Sequence, residues 1–261
     1  MNVFRLFATF FRIGAMNELQ YRLNFFIQLL QSCIAVATGL IGLGLVFSHT
    51  NNLGGWSQPE LQVVMGVHIL IGGIVQAFIQ PNMQRITEDI QEGTFDFVLT
   101  KPVDAQALAS VREIKIWRII DIVIGAVIVI SGVLQGTASV HVGDGLLFVV
   151  ALLLGVTMIY SFWLILTAVA FWVVRVDQMI NLFEGVFAAG RWPVTIYPGW
   201  LRGLLTFLMP VAFAVTVPAT TLTDRLTWPN LAGAAGLALG FFLLGRWIWR
   251  LGLRNYAGAS A

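Results

Sequence analysis

Residues 146–173 read LLFVVALLLGVTMIYSFWLILTAVAFWV and contain no charged side chain. A helix that crosses the roughly 30 Å hydrocarbon core of a bilayer needs about 20 apolar residues, because lipid offers no partner for free backbone groups. The stretch is long enough for such a helix. Of all 261 residues, 58% are hydrophobic and 11% are charged, against roughly 25% charged residues in soluble domains. This composition excludes a soluble globular domain and indicates a helical membrane protein.

Four further stretches are apolar and long enough to cross a bilayer. They are residues 23–47, 61–80, 116–134 and 229–249. A sixth span is predicted over 178–197, although this stretch carries Asn181, Glu184 and Arg191. The sequence therefore predicts one all-α membrane domain over 1–261 with six transmembrane helices.

Prolines interrupt the apolar stretch at residues 198–222. Pro198, Pro210 and Pro218 each remove a backbone donor, so a straight crossing is not expected. Two short helices that enter and leave on the same side would fit, because broken backbone at membrane depth is tolerated where protein buries it. The alternative is a seventh, kinked span, which would place the two termini on opposite sides.

Basic side chains are distributed unequally along the chain. With six spans and an inside N-terminus, only Arg191, Arg202 and Arg225 of the 15 Lys and Arg residues fall outside the cytoplasmic segments, which leaves 12 inside. Because Lys and Arg favour the cytoplasmic side, both termini are predicted to be cytoplasmic.

Residues 1–22 form an amphipathic segment ahead of the first span. Phe4, Phe7 and Phe11 recur at three- and four-residue steps, which predicts an interfacial helix along the inner headgroups. A signal peptide is disfavoured, because the basic region is too long and too hydrophobic.

The longest cytoplasmic loop, residues 81–115, is polar and too short for a catalytic domain, so we expect a partner to bind it. Apolar side chains inside a polar rim are typical of a protein interface. The expected anchors are Ile86, Ile90, Phe95, Phe97 and Leu99, and the expected rim is Arg85, Glu88, Asp89, Glu92 and Asp96. The alternative is that these apolar side chains rest on the bilayer surface.

Turn-forming residues divide this loop. Gly93 is placed to end the helix before it, and Pro102 stops the segment that follows. Asp104 is then placed to cap a new helix that runs through Leu108 and Ile114 into the third span.

Residues 92–103, Glu-Gly-Thr-Phe-Asp-Phe-Val-Leu-Thr-Lys-Pro-Val, resemble the cytoplasmic loop of ABC type-2 exporter permeases. In those loops an acidic residue, Gly-Thr, an apolar-acidic pair and a Pro occur at similar spacing. Further stretches look like the branch of that superfamily long catalogued as a domain of unknown function: WPVTIYP at 192–198, MPVAF at 209–213, VPA at 217–219 and GLRNY at 252–256. The resemblance covers nearly the whole chain.

The resemblance implies a coupling helix that sits in a cleft of a separate ATPase subunit. The coupling residues it implies are Ile86, Ile90, Glu92, Gly93, Thr94, Phe95, Asp96, Leu99 and Pro102. It further implies two permeases, identical or paralogous, assembled with two ATPases. The chain has no Gly-Lys pair and therefore no P-loop of its own, so ATP and Mg²⁺ are expected in the partner and no cofactor in this chain.

In the same family, the segment equivalent to 198–222 is a re-entrant extracellular hairpin that closes the outer end of the path. The residues expected to shape this gate are Pro193, Pro198, Pro210 and Pro218. An interfacial cap without a gating role is the alternative.

Three polar side chains within the spans, His68, Asp121 and Glu184, are costly to insert and are therefore candidates for the translocation path. Asp121 is spaced to pair with Arg118, which favours a structural role. Glu184 has no basic neighbour at helical spacing and is the better candidate. A histidine such as His68 is more often a hydrogen-bonded packing residue than a proton carrier.

These observations predict the permease subunit of an ATP-driven exporter in the bacterial inner membrane. Its cargo would be amphipathic or cationic small molecules or lipid-linked compounds. The alternatives are a proton-coupled secondary transporter that uses Glu184 or Asp121, and a membrane scaffold that transports nothing. A net charge of +2 is too small to indicate nucleic acid, and His49, His68 and His141 lack the spacing of a zinc site.

Overall fold

The computed structural model describes residues 22–137, 140–173 and 185–256. The helices within them are α1 (Arg22–Phe47), α2 (Gln58–Ile74), α3 (Gln80–Gln91), α4 (Asp96–Leu99), α5 (Ala105–Ala109), α6 (Ile119–Gln135), α7 (Val142–Val169), α8 (Gly199–Gly203), α9 (Val211–Thr221) and α10 (Trp228–Asn255). Five helical stretches of this part are long and apolar enough to cross a membrane: Leu23–Phe47, Gln58–Gln91, Ile116–Gln135, Val142–Val169 and Trp228–Asn255. The predicted all-helical, multi-pass membrane fold is confirmed.

Some predictions concern residues outside the described part of the chain. The interfacial helix over 1–22 has only its last residue inside it, and Glu184 lies outside it. Of the span predicted over 178–197, the structure describes residues 185–197. This part contains two 3-10 turns, Ala188–Arg191 and Val194–Ile196. The last residues of that prediction are therefore not part of a regular spanning helix.

The second span is longer than predicted. α2, a π-helical turn (Val75–Ile79) and α3 form one helical stretch of 34 residues, Gln58–Gln91, which is about 50 Å long at 1.5 Å per residue. Because the hydrocarbon core is about 30 Å thick, the end of this helix extends beyond it. Residues 81–91, expected at the start of the loop, are the continuation of the second span.

Pro81 does not break this helix, because another donor replaces its missing N–H. A proline here leaves the carbonyl oxygen of Ala77 without its helical partner. The backbone N–H of Lys115 donates to that oxygen at 3.0 Å. Beside it, the Asn82 side chain accepts from the backbone N–H of Glu113 at 2.8 Å and donates to the Glu113 carbonyl at 2.7 Å. The returning chain is therefore bound to the helix at the position of the proline.

The turn at Gly93 and the cap at Asp104 are confirmed, whereas the predicted continuation of the capped helix into the third span is wrong. Gly93 follows the long helix with a φ of 72°, and Asp104 caps α5 by accepting a backbone N–H at 3.0 Å. However, α5 ends at Ala109 and does not continue into the third span. The physical reason is that Asn82 holds both backbone polar groups of Glu113, which a continuing helix would use for itself.

The long second helix is the centre of the fold. In its most apolar window 78% of the residues are buried inside the protein, against 11% for α1. Glycines allow close contact between α2 and α6: Gly66, Gly73, Gly125 and Gly132. A Cβ added to Gly125 would lie 2.5 Å from the backbone nitrogen of Leu70, which is far inside van der Waals contact. The two helices therefore pack backbone against backbone, as small residues permit in membranes.

The segment over 198–222 is bent. Its helical parts, Gly199–Leu208 and Phe213–Thr221, meet at 92°, so it is not one straight crossing. Thr195, just before the segment, accepts from the indole N–H of Trp56 at 2.9 Å. Arg225, just after it, donates to the Glu60 carboxylate at 2.5 and 3.0 Å and lies 4.8 Å from the centre of the Trp56 ring. The segment therefore starts and ends at the same end of the helix bundle.

We predict that Gly125→Ala destabilises the protein by about 1–3 kcal/mol, because the added methyl group would push α6 away from Leu70. Gly236→Ala on α10 is the matched control, since no atom lies within 4 Å of its added Cβ. It should be neutral or slightly stabilising. Unfolding of the purified protein in mixed micelles with increasing SDS measures both changes, and equal stability of the two variants would contradict the close packing of α2 and α6.

Candidate functional site

The loop between the second and third spans is organised around a buried carboxylate. Asp89 is 2% exposed. Its side chain pairs with Arg112 at 2.6 Å and with Arg85 at 3.1 Å. Its backbone carbonyl accepts from the N–H groups of Thr94 and Phe95 at 2.8 and 3.0 Å. Asp89, expected on an exposed rim, instead fixes the turn after the long helix.

Two of the expected interface anchors are covered by the chain itself. Ile86 is 1% exposed and Phe95 is fully buried. The ring of Phe95 meets the rings of Trp249, Tyr256 and Phe171 edge to face, with centroids 5.8 to 6.0 Å apart. These partners come from the ends of α7 and α10, so this aromatic cluster attaches the loop to two spans.

A second contact attaches the loop to α10. Arg246 donates to both oxygens of Asp104 at 2.5 and 3.0 Å and to the Gln106 side chain at 2.6 Å. The hydrogen bonds from Arg246 hold the pKa of the Asp104 carboxyl below its usual value. The start of α5 is therefore fixed to the same span as the aromatic cluster.

One part of the loop that remains accessible to a partner is a small surface, which we call the loop tip. It consists of Glu92, Phe97, Leu99, Thr100, Lys101 and Pro102, which are all exposed. Phe97 is 73% exposed and Leu99 is 40% exposed. Of the five expected apolar anchors, these two are therefore the ones that a partner can reach. The other coupling candidates are half-buried between the loop tip and the protein: Ile90, Gly93, Thr94 and Asp96. A charged rim around two apolar side chains is the composition of a small protein interface.

A cavity of about 300 Å³, lined by both polar and apolar side chains, lies between α1, α2, α6 and residues 187–191. His68 and Asp121 both line it, so the structure brings together two of the three predicted path residues. Glu184, the third, lies outside the described residues. The sequence reasoning missed several polar lining residues: Gln28, Gln31, Ser32, Gln76, Arg118 and Arg191. The spacing of Gln28, Gln31 and Ser32 on one helical face is a signal that could have indicated them.

His68 is 8% exposed, and its ring stacks on Phe187 with centroids 4.6 Å apart. Its Nδ1 has no hydrogen-bond partner among the described residues. A buried polar atom without a partner is costly. We expected His68 to be a hydrogen-bonded packing residue, but the described residues offer no hydrogen bond to its Nδ1.

Asp121 is held by neighbours on two helices. The hydroxyl of Ser32 and the amide of Gln28 donate to it from α1, the latter at 3.3 Å. Arg118 lies 3.5 Å away and forms the pair expected from the spacing. Asp121 thus links α1 to the third span.

A second cavity of about 340 Å³ adjoins the first. The two share Gly72, Gln76, Arg118 and Phe187, and the second extends to Gln80 and Lys115 near the loop. We call these two adjoining cavities, which extend along the bundle from His68 to Lys115, the polar track.

The fold and these two regions define a multi-pass helical membrane protein with a polar track between its spans and a folded loop at one end. The chain belongs to the ABC-2 transporter family: the family model described as "ABC-2 family transporter protein" matches residues 33–260. No curated protein and no solved structure matches the chain. The family is a transport component rather than an enzyme, and membership implies ABC ATP-binding subunits as partners. The resemblance found in the sequence is therefore confirmed.

Phe95 and Phe97 provide a matched pair for testing the loop. We predict that Phe95→Ala destabilises the protein by about 3–5 kcal/mol, because it leaves a cavity beside Trp249 and Tyr256. Phe97→Ala should change stability by less than about 0.5 kcal/mol, since that ring is exposed. SDS unfolding in mixed micelles measures both, and a larger loss for Phe97→Ala would contradict the assignment of inside and outside in the loop.

Proposed function

We propose that this chain is the permease subunit of an ATP-driven exporter. It works as a dimer with an identical or paralogous permease, and two ABC ATP-binding subunits bind its loop tips. The observation that carries the proposal is the exposure of Phe97 and Leu99 on a loop that is otherwise fixed by buried contacts. An isolated apolar pair on a rigid support fits a cleft in a partner better than a role in this chain's own core.

The distribution of basic side chains supports a particular orientation of the protein in the membrane. The end of the bundle that carries the loop also carries most of the Lys and Arg residues, which favours a cytoplasmic location for it. Both termini would then be cytoplasmic, in the inner membrane of a bacterium. ATP and Mg²⁺ would bind in the partner subunits.

The bent segment would lie at the outer end. Thr195, just before the segment, and Arg225, just after it, both contact Trp56. We therefore infer that the segment is a re-entrant hairpin and not a seventh span. Pro210 is buried at the bend, and Pro218 lies inside α9. Pro193 is buried and Pro198 is exposed before the first short helix. These fixed backbone angles suit a gate that keeps its shape while the spans around it move.

The cavity favours some cargo classes over others. Arg118 and Arg191 outnumber Asp121 among the charged described residues of its lining. Amphipathic or lipid-linked compounds with polar or acidic groups therefore suit it better than lipophilic cations. The proton-coupled alternative has less support at Asp121, because that carboxylate is already engaged by Ser32, Gln28 and Arg118.

A charge at the loop tip tests the proposal. We expect Phe97→Asp to remove at least about tenfold of the affinity for the ATPase, because it places an unpaired charge in the apolar centre of the interface. The measurement is the amount of ABC ATPase that co-purifies with the tagged chain from its native host, together with ATP hydrolysis of the complex in vesicles.

Val142→Asp is the matched control. Val142 is 87% exposed at the start of α7, at the opposite end of the bundle, and an acidic residue suits a helix N-terminus. This variant should retain the ATPase. Equal retention by Phe97→Asp, or the absence of any ABC ATPase beside the unaltered chain, would refute the role of the loop tip.

A further inference from the structure

A third cavity lies at the loop end of the bundle, where the first span begins and the third span begins. It has a volume of about 330 Å³ and is lined by Asn24, Ile27, Gln28, Lys115, Trp117 and Arg118. The backbone N–H of Lys115 is the group that binds Ala77 beside Pro81. The cavity is therefore fixed to the long second helix, and its position follows from the course of the loop.

The side chains around this cavity offer donors and positive charge. Lys115 is exposed and forms no salt bridge with any described residue. The buried indole N–H of Trp117 has no acceptor in the described part of the chain, while its ring packs on Phe25 at 5.1 Å. Arg118 contacts Asp121 through one nitrogen at 3.5 Å, which leaves other guanidinium donors. Among the described residues no carboxylate lines the cavity, so it is suited to an anion.

The surroundings indicate an anion attached to apolar chains. The neighbouring face of α1 is apolar and exposed: Leu23, Phe26, Ile27 and Leu30 are 54% to 76% exposed. A headgroup in the cavity would thus lie beside a surface on which acyl chains can pack. Tryptophan and basic side chains at the start of a span are typical of the headgroup level of a membrane.

We propose that this cavity binds the headgroup of an anionic phospholipid of the inner leaflet. Lys115 and Arg118 neutralise the phosphate, the Trp117 indole donates a hydrogen bond to it, and the acyl chains lie on α1. Basic pockets between spans on the cytoplasmic side have the chemistry for this class of lipid. The leaflet rests on the orientation given in the proposed function, whereas the chemistry of the cavity does not.

Displacement of a fluorescent phosphatidylglycerol from the purified full chain in neutral detergent micelles tests the proposal. The competitors are dioleoyl phosphatidylglycerol, dioleoyl phosphatidylcholine and the soluble anion sn-glycerol 3-phosphate. We expect phosphatidylglycerol to displace the probe at a concentration at least about tenfold lower than either of the others. Neither an ATPase nor transport is needed, so a failure here is distinct from a failure of the proposed function.

Variants locate the binding. The double variant Lys115→Gln and Arg118→Gln should weaken phosphatidylglycerol binding about 25-fold, because each basic side chain near the membrane surface contributes about fivefold. Its matched control is Arg250→Gln with Arg254→Gln, which removes two charges from α10 and should change binding by less than about twofold. Since the first variant also removes the contact of Arg118 with Asp121, Trp117→Phe serves as a milder change that keeps the ring on Phe25. It should weaken binding about tenfold.

Three results would overturn the proposal. Phosphatidylcholine could displace the probe as well as phosphatidylglycerol, which would remove the requirement for an anion. Glycerol 3-phosphate could compete equally well, which would identify a free phosphate as the ligand. The variants of Arg250 and Arg254 could lose as much affinity as the cavity variants, which would show only a diffuse surface attraction.

Discussion

The contact between the backbone N–H of Lys115 and the carbonyl of Ala77 is the constraint on which the arrangement of the loop depends. Pro81 makes that carbonyl available, because it has no N–H with which to continue the helical pattern. Another segment supplies the donor that the proline lacks. That segment must return to the same place, and Asn82 holds it there through Glu113. The return of the loop to the second span therefore depends on the Ala77 carbonyl that Pro81 leaves free.

On another side of the second span, glycines allow a close contact between α2 and α6. They bring α6 so close to α2 that the two backbones touch near Gly125 and Gly66. On α1, Gly39 closely approaches only the Met65 side chain of α2, and α1 is attached to α6 by polar side chains, chiefly Ser32 and Gln28 on Asp121. Tight packing on one side and polar contacts on the other leave the track that runs from His68 toward Lys115.

Local signals in the sequence predicted local structure well. The five regular spans, the glycine turn at Gly93 and the cap at Asp104 depend on a few neighbouring residues, and the structure contains them all. From the sequence alone Pro81 reads as the end of a helix, because the N–H that replaces its missing donor belongs to Lys115, 34 residues later. The cavity was only half predicted, since costly side chains such as His68 and Asp121 stand out in a sequence, whereas amides on α1 do not reveal which helix they face.

Periodicity also could not tell which aromatic side chains of the loop are inside. Phe95 and Phe97 are two residues apart in the same short motif, yet Phe95 is covered because Trp249 and Tyr256 arrive from the other end of the chain. In the function proposed above, a partner on the loop tip would act on the spans through these buried contacts. Phe95 attaches the loop to α7 and α10, and the helical connection through α3 attaches it to α2 and its cavity. A displacement of Phe97 and Leu99 would therefore reach the wall of the polar track through buried contacts, because close-packed interiors transmit strain instead of absorbing it.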